Sequence, residues 1–215
     1  AFDETRERLR TVLNEWMLEI GDLGFMPESQ WFTRFERVGD ARPRYEIVRD
    51  GTNVYPRRRL LKAAELVGGG PEAIDAQLQL AQDADPGVRF WAAHGLLAQR
   101  TLDQPSRDVL RAMLGDATPS CRIAAAEALC RSAPDPAALQ TIVDAVDHRE
   151  AYAALLAANA LEHIGEAALP ALDRLQSRPA RASNDNAPNQ SKMVRGWVDV
   201  IVQRVIDRLE ASTER

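Results

Sequence analysis

Only two cysteines and three histidines occur in 215 residues. Cys121 and Cys130 fall in what reads as one helix, where a rise of ~1.5 Å per residue sets them roughly 13 Å apart, too far to bridge. The chain therefore has no disulfide framework, and its redox compartment stays open. His94, His148 and His163 never pair at i+3 or i+4 and stand in no acidic cluster with a helical register, so neither a metal site nor a cofactor is expected. No apolar run approaches the ~20 residues of a membrane-spanning helix. With 27 Lys and Arg against 32 Asp and Glu, a net charge of −5 offers no chain-wide attraction for nucleic acid. The sequence opens at Ala1 without an initiator Met, a basic n-region or an apolar h-region, so a processed or excised chain is expected.

What is present is a repeat. The pentapeptides AAELV (63–67), AAHGL (92–96), AAEAL (125–129) and AANAL (157–161) recur with no strand-like alternation between them. A period near thirty residues predicts an α-solenoid in which stacked helix pairs complete one another's cores. DADPGVRFWAAHGL (83–96) lies over DATPSCRIAAAEAL (116–129) without a gap, so Cys121 takes the place of Val88. The run TPSCR (118–122) holds the letters of a sulfatase signature in another order. No histidine stands near Cys121 in sequence to act as its base, and no Cys-x5-Arg loop follows. The register predicts a packing residue, since free Cys behaves as a small hydrophobe.

First helices are predicted with two apolar faces: Val88, Trp91, Ala92 and Leu96 on one, Phe90, Ala93 and Leu97 on the other. The bulk of Trp91 is expected to be offset by Gly95 one turn later. His94 shares its register with Glu127 and Asn159, which predicts exposure for all three. Second helices are predicted over 71–83, 105–115, 135–146 and 166–176, with Pro71, Pro105 and Pro136 at starts where a missing N–H costs nothing and Pro170 early enough to be tolerated. Asp83 and Asp116 are expected to cap first helices, with Arg89 and Arg122 bridging between repeats. This register resembles the HEAT-like repeat family over about residues 56–178.

The ends differ from the repeats. Residues 3–20 carry Leu9, Val12, Leu13, Trp16, Met17 and Ile20 at helical spacing, and Pro27 opens a short helix with Trp31, Phe32 and Phe35. Residues 41–58 have turn residues and little periodicity, which predicts a long ordered loop of the kind that carries function or packs on another domain. Eight arginines fall between Arg34 and Arg59, most simply as a solvated surface paired with Glu36, Asp40, Glu46 and Asp50. The organisation expected is N-terminal helices and a basic loop over 1–55, repeats over 56–178, a polar linker over 179–192 and a capping helix over 193–215.

Two segments, RLRTVLNEWMLEIGDLGFMPES (8–29) and PRYEIVRDGTNVYPRRRLLKAAELV (43–67), together resemble the region that follows the catalytic domain in bacterial type I sulfatases. Trp16, Asp22, Gly24, Phe25, Pro27 and Glu28 match the first motif, and Arg49, Asp50, Tyr55, Pro56, Leu61, Ala63 and Ala64 match the second. The match departs at Gly21, where an Arg is expected, and at Arg44. The resemblance implies that a formylglycine and a calcium-type metal belong to an absent catalytic domain, and no Cys/Ser-x-Pro-x-Arg run is expected in this chain. It implies a periplasmic or extracellular setting.

The reading is therefore a non-catalytic, right-handed α-solenoid of HEAT-like helix pairs with N- and C-terminal capping helices, packing on a sulfatase catalytic domain and mediating assembly or substrate access. Trp31, Arg34, Arg42, Arg44 and Arg57 are the candidate interface residues, because aromatic and Arg side chains dominate interface energetics. The alternative is a stand-alone, cytoplasmic HEAT-repeat adaptor for protein partners.

Overall fold

The computed structural model describes residues 2–38, 43–49, 55–99, 101–178 and 189–213. Twelve α-helices follow one another: α1 (Phe2–Ile20), α2 (Glu28–Val38), α3 (Arg44–Arg49), α4 (Arg57–Glu65), α5 (Ile74–Leu80), α6 (Pro86–Leu97), α7 (Gln104–Met113), α8 (Pro119–Ser132), α9 (Pro136–Ala145), α10 (Ala151–Ile164), α11 (Leu172–Gln176) and α12 (Asn189–Thr213). No strand occurs among the described residues.

The chain is an all-α solenoid. First helices form a row in which α4 packs on α6, α6 on α8, α8 on α10 and α10 on α12, while α5, α7 and α9 wedge beside the first helix that follows each. The recurring alanines explain the closeness of the row: Ala92, Ala93, Ala124, Ala125, Ala126, Ala153, Ala154, Ala157 and Ala158 are all essentially inaccessible. Leu96, Leu129, Leu161 and Leu209 fill the space the small side chains leave. Helix starts are set by sequence. Asp85, Asp103, Asp135 and Glu150 each accept hydrogen bonds from first-turn amides, and prolines stand in the first turns of α6 to α9.

Several local expectations are overturned. Asp83 does not cap α6; it accepts from the Asp85 amide at 2.7 Å and pairs with Arg59, leaving the cap to Asp85. Asp116 likewise accepts from Thr118 N at 2.8 Å. Arg89 does bridge to the next repeat, with Asp116, but Arg122 folds back onto the carbonyl of Asp116 within its own repeat. The predicted second helix over 166–176 is 3-10 from Gly165 to Ala171 and α-helical only from Leu172, because Pro170 cannot donate to the α ladder. The predicted loop over 41–58 contains α3, whose Ile47 and Val48 are buried in the N-terminal core with Met26, Phe35, Tyr55, Leu60 and Val88. Residues 41–42 and 50–54 of that stretch lie outside the described residues. The last helix begins at Asn189, ahead of the position expected.

Gly95 also has a different cause. A Cβ there would lie 2.4 Å from Nε2 and 2.6 Å from Cδ of Gln77. The Gln77 side chain is buried against α6 and donates to the Leu66 carbonyl at 2.8 Å. Gly95 therefore makes room for a cross-helix amide, not for Trp91. Gly95→Ala should destabilise the chain by about 1–3 kcal/mol, the cost of overpacking a tight site, read as a lower urea midpoint at unchanged slope. An unchanged midpoint would mean that Gln77 swings aside at no cost.

Candidate interaction surface

The N-terminal segment is strapped across the repeat row, since α2 packs on α8 and α10. Gln30 donates to Ser120 Oγ at 2.9 Å and to the Pro86 carbonyl at 3.2 Å. Arg34 forms a two-pronged pair with Asp85, Nη1 to Oδ2 at 2.8 Å and Nη2 to Oδ1 at 2.7 Å, and Nη2 also donates to Gln30 Oε1. Both side chains of that pair are only 12% exposed. Burial pushes the Asp85 carboxyl upward, but the Arg34 guanidinium and the Gly87 and Val88 amides outweigh it and hold it below the usual carboxylate range. Arg34 thus pairs with a repeat residue, 51 positions away.

The two segments carrying the sulfatase resemblance meet in a knot just before α2. Tyr55 donates through its hydroxyl to the Asp22 carbonyl at 2.6 Å and accepts from Phe25 N at 3.2 Å. Asp22 accepts from Gly24 N at 2.7 Å, and Trp91 Nε1 donates to the Phe25 carbonyl at 2.7 Å. Desolvation pushes the Tyr55 hydroxyl well above its ordinary pKa, so it stays a donor. Gly21 closes α1 at φ +69°, a left-handed conformation that an Arg would strain. Here the departure from the resemblance follows from the turn.

Among the candidate interface residues, Trp31 is half-buried and donates through Nε1 to the Met26 carbonyl at 3.0 Å. Arg34 is committed inside the chain. Arg57 is half-buried beside Gly21. Arg42 lies outside the described residues, and of Arg44 only its place at the start of α3 is described.

The surface that stands open is one the arginine count did not mark. Helix α1 buries no residue. Leu9, Val12, Leu13, Trp16 and Ile20 are each between 50% and 58% exposed, and their spacing places them on one side of the helix. Its other side turns to α4, with Asn14 bonded to Glu65 and with Met17 and Leu18 partly covered. A helix apolar on two sides with a neighbour on one is built like the first helices of the repeats, lacking an outer companion. The signal was legible in the heptad-like run, but which side α4 would take was not.

Chemistry is sparse. Cys121 is buried, its thiol donates to the Pro86 carbonyl at 3.1 Å, and burial raises its pKa to about 12, as it does for Cys130. Neither thiol is poised as a nucleophile. The exposure expected along the His94 register is wrong for Glu127, which is 4% exposed and bonded to His163 Nδ1 at 2.9 Å. His94 is itself largely covered, and burial pushes its pKa down to about 4. One serine form of the sulfatase signature does occur, Ser177-Arg178-Pro179-Ala180-Arg181. Its described part is structural: the Ser177 hydroxyl bonds back to the Asp173 and Arg174 carbonyls, and Arg178 pairs with Asp147 and Asp199. No group of three or more potential metal ligands is assembled among the described residues, and no described helix is long and apolar enough to cross a membrane.

Residues 41–130 match the family model for HEAT repeats. Over that stretch the chain is similar to HEAT repeats. No curated protein and no solved structure matches the chain. The HEAT match takes in α3 to α8, and the helix row continues in the same stacking through α10 to α12.

Proposed function

We propose that this chain is a non-catalytic protein-interaction region whose HEAT repeats form a rigid base and whose α1 docks a protein partner. The observation that carries this is the apolar side of α1, with five large side chains half or more exposed along a helix that buries no residue of its own. The partner best supported is a sulfatase catalytic domain, because residues 8–29 and 43–67 resemble the region following that domain. Of the matching residues, Asp22, Gly24, Phe25 and Tyr55 serve the knot, whereas Trp16 stands on the open side.

Two experiments separate the parts of this reading. The first is the mass of the polypeptide that reacts with an antibody to this chain in its native cells. A mass well above 23.8 kDa, with an upstream Cys/Ser-x-Pro-x-Arg peptide, supports the sulfatase parent. One near 23.8 kDa leaves the stand-alone adaptor. The second is the double variant Leu13→Glu/Trp16→Glu, which should leave the thermal midpoint of the isolated chain unchanged. In the parent polypeptide it should weaken domain docking by about 2–4 kcal/mol, as burial of hot-spot positions implies. An unaltered parent would remove α1 as the docking surface.

A further inference from the structure

A second surface lies on the repeats themselves. The C-terminal ends of α6 and α8, together with Val67 and Leu102, enclose a cleft of about 460 Å³, within the ~300–1,000 Å³ typical of small-molecule pockets. Its walls divide by chemistry. Val67, Leu96, Leu97, Leu102 and Ala128 give an apolar side, while His94, Gln99, Arg131 and Ser132 supply polar groups, and no acidic residue lines it among the described residues.

The aromatic floor is fixed in place. Trp91 is tied through Nε1 to the Phe25 carbonyl, so its remaining surface is ring. Phe90 meets His94 edge-on with centroids 4.3 Å apart, and Trp91 tilts against the same imidazole at 5.9 Å. With its pKa pushed down to about 4, His94 is a neutral donor at neutral pH. Arg131 makes no ion pair or hydrogen bond with another described residue. The nearest acid along its helix, Glu127, is already bonded to His163. Helix C-termini repel anions, but several last-turn carbonyls here are taken: His94 O by Ala98 N, Leu96 O by Gln99 N and Leu129 O by Ala133 N. What faces the cleft is an unspent guanidinium, a hydroxyl and a neutral imidazole beside a flat ring.

We propose that this cleft binds a small aromatic carboxylate, its flat body against Trp91 and its carboxylate on Arg131 and Ser132. Arg suits this role because its planar fork matches a carboxylate in two hydrogen bonds.

The test titrates the full chain with 2-naphthoate and, separately, with 2-naphthalenemethanol, following amide shifts of Gln99 and Ser132 by NMR. Expected is saturable naphthoate binding, with the uncharged alcohol weaker by about tenfold, the worth of one charge-assisted hydrogen bond. Arg131→Met should weaken naphthoate to the level of the alcohol without moving the thermal midpoint. Ala98→Trp, which fills the mouth from an exposed position, should block both ligands. No saturation by about 10 mM, far weaker than expected of a matched pocket, equal affinity for acid and alcohol, or indifference to Arg131→Met would each overturn the proposal.

Discussion

Replacing Arg34 by Met should lower the stability of the chain by about 3–5 kcal/mol at neutral pH, because it leaves a buried carboxylate without its counter-charge. The Asp85 side chain is 12% exposed, and among the described residues only the Gly87 and Val88 amides are bonded to it besides the guanidinium. The loss should be read twice: as a lower urea midpoint, and as faster amide exchange across α2, which Arg34 and Gln30 hold to the repeat row. The partner variant Asp85→Asn keeps a side-chain acceptor at the α6 cap and should cost less. In the double variant Arg34→Met/Asp85→Asn much of the loss should return, a coupling of about 1–3 kcal/mol in the double-mutant cycle. Purely additive losses would show that the pair contributes nothing as a pair.

The pH dependence has a definite sign. In the native protein Asp85 and Asp116 are held below the usual carboxylate range, each against the opposing pull of burial, chiefly by Arg34 and Arg89. The unfolded state then binds more protons than the folded state below about pH 4, so their stabilisation is complete above the unfolded value and is lost on further acidification. Without Arg34 the desolvation of Asp85 is opposed only weakly, by the Gly87 and Val88 amides, and its pKa rises. The folded variant then binds the extra proton, and the stability gap between native protein and Arg34→Met should narrow as pH falls toward 4. A gap constant from pH 7 to 4 would contradict the assignment.

How much of this was legible in the sequence depends on the range of the contact. The repeat register located α6 and α8, the burial of Cys121 and the Arg89 bridge to Asp116, because each is set by spacing within one or two repeats. The same register misread Gly95 and Glu127, whose partners Gln77 and His163 come from other helices and leave no periodic trace. Arg34 was legible as an interface-type residue, but not as one whose partner is Asp85, 51 positions away. The α1 side was visible as a pattern; that no described residue covers it follows only from where α4 packs. Pro170 was visible too, yet whether the helix around it would stay α or tighten to 3-10 depends on its packing against α9, α10 and α12.

Leu129→Ala should cost about 2–5 kcal/mol, the range for truncating a buried leucine in a site that cannot collapse. Leu129 is 1% exposed on α8, and α8 packs on α6, α7, α9, α10 and the strap α2. The many buried alanines of the row, Ala92, Ala124 and Ala157 among them, are too short to fill the space a leucine leaves. In a repeat array stability is a sum of local and nearest-neighbour parts, so a lesion at the central helix weakens the junctions on both sides at once. Leu9→Ala on α1 removes the same atoms from a position 58% exposed and should change the isolated chain by less than about 0.5 kcal/mol. The two substitutions therefore have opposite meanings: Leu129 belongs to the base, and a cost for Leu9 should emerge only when the partner of α1 is present. Equal costs in the isolated chain would place α1 in the core and withdraw it as a docking surface.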